Sequence, residues 1–367
     1  MDRRKFIGGL GLGGAGALAG SQAVAQSTEE LPSISWRFTS SFPSSIDTVY
    51  QAPVEVAERV RAATNGKFDI KVFAAGEIVG GLEVVDAVQD GTVEGGHTIA
   101  AYFMGKDPAF AISTGLPFGM NARQQTGWML QGGGLDLMRE FFAKSNIVSF
   151  PCGKTGTQMG GWFRTEVNSL DDLQGLKFRV GGLAGRVMSR LGVVPQQIPA
   201  SDIYTSLERG TIDAAEWVGP YDDEKLGLYE VAPNYYYPGF WEGGAQVDLL
   251  INKDAWEELP PAYQAILESA AIEAGINLTA KYDARNPQAL KRLLSAGANL
   301  KGYPNDVLEA AYAETQAVME EIKSESPDFA KIYESYDAYR RDQYRWAGIA
   351  DTRYDVFMVG AIQNSGN

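Results

Sequence analysis

RGTIDAAEWVGPYDDEKLG, residues 209–227, holds the reading that decides the fold. The segment runs from a helix end through Gly210-Thr211 into a short apolar strand. That strand finishes on a carboxylate and an indole, Glu216 and Trp217, before a Gly219-Pro220 break. DGTVEGGH, residues 90–97, follows the same order: helix end, Gly-Thr, branched apolar residue, acid. Two lobes of similar topology are the simplest explanation of such an echo. By this alignment Glu216 occupies the place that His97 holds in the other lobe.

Working outward, alternation marks an opening strand with Ile34, Trp36 and Phe38 on one face, and a second with Phe68, Ile70 and Val72. The helix between them carries Val49, Val54, Ala57 and Val60 and stops at Asn65-Gly66. A further helix over about 81–89 ends at Gly91 and feeds a strand around 93–99. The second third repeats the plan, with strands at 147–150 and 176–180 and a helix over 183–191. Ser169 reads as the cap of a short helical turn, and Ser201 as the cap of a helix that Gly210 ends. Strand and helix in alternation predict a largely parallel α/β sheet. Beyond Pro260 the pattern becomes helical: 261 toward 294, 305 to about 322, and 327 through 350. Along the last, Phe329, Tyr333, Tyr336 and Tyr339 form a stripe at helical spacing. That stripe packs either on its own lobes or on a second copy of the chain.

Residues 1–25 are expected to be an export leader: a twin-arginine start at Arg3-Arg4-Lys5, a weakly apolar stretch, and a small-residue cleavage site at Ala23-Val24-Ala25. Gly9-Leu10-Gly11-Leu12-Gly13-Gly14 matches a dinucleotide fingerprint by spacing alone, with no strand before it. The formal charge is −14, and −16 without Asp2, Arg3, Arg4 and Lys5, which argues against nucleic acid and anionic membrane surfaces. One cysteine and one histidine exclude an intramolecular disulfide and zinc sites built on thiolates or imidazoles. Any metal must be held mainly by oxygen. Cys152 reads as an inert buried thiol, and His97 as a structural histidine with satisfied nitrogens. No nucleophile elbow, His-Glu-x-x-His run or phosphate-cradling loop follows the leader.

Ligands of parallel sheets settle outside the carboxyl ends of the strands. There Arg179, followed by Gly181-Gly182, suits bidentate capture of a carboxylate, or else a structural ion pair. Glu216 and Glu242, each beside tryptophan and glycine, are surface residues or the charged half of an oxygen-only site for sodium or calcium. Gln158 and Tyr102 are polar side chains just past strands. Asp222, Asp223 and Glu224 read as a helix cap rather than a metal site.

GEIVGGLEVVDAVQDGTVE, GTQMGGWFR, LQGLKFRVGGLAGRVMSRLGVVPQQI, GTIDAAEWVGPYDDEKLG and YYYPGFWEGG together resemble the solute-binding proteins of TRAP transporters, the tripartite ATP-independent periplasmic carriers. The resemblance is to the branch that binds 2-oxo acids and lactate, and it covers essentially the whole chain after the leader. It implies a two-lobed α/β fold of the periplasmic-binding-protein type, with a hinge, a long helix spanning both lobes and a C-terminal helical arm. The expected plan is lobe I over 26–152 with part of 245–275 returning to it, lobe II over 153–244, the spanning helix over 261–300 and the arm over 301–367. The family comparison implies that Arg179 clamps the ligand's carboxylate. Gln158, Glu216, Trp217 and Glu242 surround a cation, Trp217 by its carbonyl. Tyr102 faces the 2-oxo or 2-hydroxy oxygen. The expected partners are a small organic acid, membrane permease subunits and, through the arm, a second copy of the chain. The expected location is the periplasm. A secreted enzyme acting on a keto or sugar acid, with Glu216 or Glu242 as general base, is the alternative.

Overall fold

The computed structural model describes residues 31–365; the leader expected over 1–25 lies outside them. Strands β1 (Ile34–Ser40), β2 (Phe68–Phe73), β3 (Gly95–Thr98) and β4 (Ile147–Lys154) belong to one sheet. Strands β5 (Gly161–Phe163), β6 (Lys177–Arg179), β7 (Val194–Gln196), β8 (Ala214–Ala215) and β9 (Asn234–Tyr237) belong to a second. The chain then returns to the first sheet as β10 (Gln246–Asn252) and ends its strands in the second as β11 (Asn299–Gly302). Each sheet centres one lobe.

The strand orders are β2-β1-β3-β10-β4 and β11-β9-β5-β8-β6-β7. Neither sheet is purely parallel. β10 lies antiparallel between β3 and β4, and β5 runs antiparallel to both β8 and β9. The expectation of a largely parallel sheet missed these because the returning strand is reached only after a whole lobe has intervened, which local alternation does not register. The parallel parts follow the sequence pattern: Trp36 and Phe38 of β1 and Phe68 and Ile70 of β2 are buried, and Asn65 and Gly66 leave the helix Gln51–Ala63 at φ 51° and 77°.

The helix Pro261–Ser295, 35 residues and about 52 Å long, spans the two lobes. Tyr263 stacks on Phe68 of the first sheet at 5.4 Å, while Arg292 pairs with Glu224 of the second lobe. Near the point where β4 leaves the first sheet, helix and strand touch backbone to backbone. A Cβ on Gly275 would lie 2.9 Å from the Gly153 nitrogen, and one on Gly153 would lie 2.5 Å from Leu278 Cδ2. Gly153 has φ 126°, which also favours glycine.

Ser169 caps its short turn as expected, within a capping box completed by Asp172. Ser201 does not cap its helix: it lies inside Ala200–Glu208, behind Pro199, with its hydroxyl on Asp202. The arm also departs from expectation at its end. Helix Pro327–Ile349 buries Phe329, Tyr333 and Tyr336 against its own lobe, where the Met120 amide donates to the Tyr336 hydroxyl at 2.9 Å. The chain then breaks at Ala350 and continues as a separate helix, Asp351–Asn364, with no buried residue. Among the described residues no helix is long and apolar enough to cross a membrane.

Candidate functional site

Arg179 is the last residue of β6, and Val180-Gly181-Gly182 turns the chain into the helix Gly182–Arg190; Gly182, at φ 59°, takes the left-handed conformation that glycine tolerates. β6 pairs parallel with β8, Arg179 opposite Ala215, and the Glu216 amide donates to the Arg179 carbonyl at 3.1 Å. That extra rung carries the ladder one residue past β8 and sets the two side chains together at the carboxyl ends of their strands. The guanidinium donates from Nη1 to the Glu216 carbonyl (2.8 Å) and side-chain Oε1, and from Nε to the Ile198 carbonyl (3.1 Å). It also lies over the Trp217 ring, 5.2 Å from its centroid.

Two loops bring the remaining groups. The Gly239 amide donates to the Gln158 carbonyl at 2.8 Å, and the Met159 amide to the Val218 carbonyl at 2.9 Å, which ties the β4–β5 loop to the β9–β10 loop and to the end of β8. Gln158 and Glu242 therefore face the cavity that Arg179, Glu216 and Trp217 line. Tyr102 comes from the first lobe, on a 3₁₀ turn after β3. With it come Phe42, Val49, Ile99 and Ala101, an apolar wall opposite the charged one. The sequence reading missed Phe42 and Ile99, although both follow strand ends, where the same rule applied to the second lobe would have found them.

Every candidate residue expected from the sequence thus borders one cavity. Its volume is about 30 Å³. Arg179 is only 2% exposed, Gln158 3% and Glu216 6%. Burial pushes Glu242 up to about 8, helped by the negative charge of Glu216, and also raises Glu216 against the pull of Arg179. Burial would lower the Arg179 pKa, but Glu216, Tyr102 and Glu242 outweigh it and hold the guanidinium charged. Burial lifts the Tyr102 phenol to about 12. Gln158 lies against Glu242, yet its Oε1 has no hydrogen-bond partner.

Among the described residues no three His, Cys, Asp or Glu side chains cluster as a metal cage. The donor set here is two carboxylates and neutral oxygens facing a single guanidinium, with one buried carbonyl oxygen unsatisfied. Such a set fits a hard cation bound together with an anion.

Residues 39–326 match the family of bacterial extracellular solute-binding proteins, family 7 (DctP). The chain belongs to that family. It is a TRAP transporter solute-binding protein, a carrier subunit rather than an enzyme, so the reading of Glu216 or Glu242 as a general base is set aside. A family member from Nostoc, named a monocarboxylate 2-oxoacid-binding periplasmic protein, is 49% identical over 327 residues, 89% of this chain and 90% of its own. A TRAP solute-binding protein of Bordetella bronchiseptica is 47% identical, with a TM-score of 0.90 over 91% of this chain and 99% of its own. Its crystal structure is a mixed-occupancy dimer, one site with copurified calcium and picolinate and the other apo. The family member from Pseudoalteromonas atlantica, 35% identical with a TM-score of 0.85 over 88% of this chain and 98% of its own, was crystallised with sodium and pyruvate.

Two other residues singled out in the sequence, Cys152 and His97, stand apart from the cavity. Cys152 is fully buried and burial raises its thiol pKa, as an inert thiol requires. His97 corrects its reading: it is fully buried, held neutral with its pKa pushed down to about 3 by burial, and neither ring nitrogen has a hydrogen-bond partner.

Proposed function

We propose that the cleft captures a 2-oxo or 2-hydroxy monocarboxylate, of the pyruvate or lactate kind, together with a sodium or calcium ion. The observation that carries this reading is the enclosure of one guanidinium and two carboxylates in a single buried cavity: a lone organic anion satisfies Arg179 only if something else takes up Glu216 and Glu242. A cation does so, and relatives carry calcium with picolinate and sodium with pyruvate. Glu216, Glu242, Gln158 and the Trp217 carbonyl would hold the ion. Arg179, released from Glu216, would fork onto the ligand's carboxylate, and Tyr102 would meet the 2-oxo or 2-hydroxy oxygen. A dicarboxylate would need a second cationic partner beside Arg179, and the cavity's lining offers none. With a ceiling of about 1.5 kcal/mol per heavy atom, a six-atom acid could reach roughly −9 kcal/mol, a submicromolar dissociation constant.

The lobe boundaries that fit this reading lie where β4 leaves the first sheet and β10 re-enters it, near residues 153 and 245. Hinge motion there would admit the ligand and then exclude water, strengthening both polar contacts. The sequence of residues 1–25 supports twin-arginine export to the periplasm. The unburied last helix, and the dimer formed by the Bordetella relative, support a homodimer through the arm.

Calorimetry with pyruvate tests the core of this. Protein verified free of metal is expected to bind at least about tenfold more weakly, and adding calcium or sodium back should restore affinity. Full affinity in metal-free protein would eliminate the cation.

A further inference from the structure

Asp222 and Asp223 line no part of the cavity, yet both are buried carboxylates in the first turn of the short helix Pro220–Lys225, and they face opposite ways. Asp223 turns into its own lobe: Oδ2 accepts from the Trp162 indole (3.0 Å) and the Tyr235 hydroxyl (2.7 Å), and Oδ1 from the Val218 amide (3.3 Å). Asp222 turns outward. Its Oδ1 accepts from the Thr48 hydroxyl at 2.6 Å and its Oδ2 from the Tyr282 hydroxyl at 2.6 Å. Thr48 belongs to the first lobe, eight residues beyond the end of β1, and Tyr282 to the spanning helix. All three are 0% exposed. Burial lifts the Asp222 carboxyl to about 6 against the pull of the Thr48 and Tyr282 hydroxyls, and the Trp217 indole N–H faces it but falls short of a hydrogen bond.

A rim of partly exposed charge surrounds this contact. Asp47, next to Thr48, accepts from Lys225 (2.5 Å), Tyr221 (3.2 Å) and Arg285 (3.3 Å). Exposed pairs of this sort contribute little; the buried carboxylate with two hydroxyl donors contributes more. The contact also adjoins the cavity on both sides. Val49 lines the cavity and follows Thr48 directly, while Val218, whose amide Asp223 holds, lines it from the other lobe.

We propose that Asp222 is the catch by which the second lobe grips Thr48 of the first and Tyr282 of the spanning helix, with Asp223 anchoring the catch-bearing helix to its own lobe. This rests on the reading of the cavity as the solute site, since it assigns these residues to keeping the closed lobes shut over a solute, and none of them touches that solute. A catch acts after encounter, so it governs escape rather than entry.

Stopped-flow kinetics of the full chain with pyruvate and calcium tests it. Thr48→Val and Asp222→Asn are expected to speed pyruvate dissociation about tenfold while the association rate stays within about twofold. Asp223→Asn, in contrast, should lower the thermal midpoint, because its partners all lie within one lobe. Wild-type dissociation rates in both Thr48→Val and Asp222→Asn would overturn the catch, as would equal slowing of association, the mark of general misfolding. If the wild-type chain itself binds no pyruvate with calcium or sodium, the ligand reading has failed and the catch is decided by small-angle scattering of the ligand-free chain. There Thr48→Val must enlarge the radius of gyration, and an unchanged radius overturns the proposal.

Discussion

Arg179 donates in three directions at once, to two carbonyls and a carboxylate, from a site almost without solvent. An ammonium on the same backbone cannot reproduce that fork. Arg179→Ala should remove detectable pyruvate binding, and Arg179→Lys should weaken it at least about tenfold by calorimetry. Unchanged affinity in either variant would refute the clamp. Asp223 makes a different prediction, on pH. Burial lifts its carboxyl from 3.8 to about 7, outweighing the hydrogen bonds from Tyr235 and Trp162. A raised carboxylate pKa means the folded chain holds the proton more tightly than the unfolded one, so this contribution is complete below 3.8 and lost as pH rises through about 7. The thermal midpoint of metal-free protein should therefore be higher at pH 6 than at pH 8, and Asp223→Asn should flatten that difference. Calorimetric scans that show no such flattening would contradict the raised Asp223 pKa.

Elements were legible where their signal was local. The alternation of Trp36 and Phe38, and the Asn65-Gly66 stop, were enough to place β1 and the helix after it. The strand-end rule sufficed to pick out Arg179 and Glu216, because both the turn glycines and the charged groups sit within a few residues. The return of part of 245–275 to the first lobe was expected from the family resemblance alone, and the antiparallel place of β10 was not legible: its partners β3 and β4 lie some hundred residues or more upstream, and nothing in Gln246–Asn252 names them. The apolar wall was missed for a different reason: Phe42 and Ile99 follow strand ends as Arg179 and Glu216 do, but carry no charge to draw the rule to them. The backbone contact between Gly153 and Gly275 was equally hidden, and it yields a test at this scale. Gly275→Val inserts side-chain atoms where 2.9 Å is available, and should cost about 1–3 kcal/mol of stability in denaturant titrations. A variant as stable as the wild type would show that the spanning helix is free to shift off β4.

For the whole molecule, the arm is the part that the lobes do not account for. Its aromatic stripe to Tyr336 is consumed by the chain's own first lobe, whereas Trp346, Ile349, Tyr354 and Phe357 are 58–76% exposed. Apolar surface of that extent, at the end of one helix and along the next, which has no buried residue, marks an interaction site. Replacing Phe357 and Val359 by glutamate is expected to convert a dimer to monomers in sedimentation experiments while leaving pyruvate affinity within about twofold, because neither residue borders the cavity. A chain that is monomeric before the substitution would remove the arm's assigned role.

The position of β10 has a consequence for biosynthesis. Its seven residues lie between β3 and β4 in the sheet, and they are not complete until Asn252 has been translated. A ribosome-bound chain that has completed the first 154 residues therefore carries β3 and β4 with unpaired rims, and must keep them from pairing with other molecules while roughly ninety more residues are made. The first lobe begins the chain, yet its sheet cannot close until the second lobe's strands β5 to β9 have all been made.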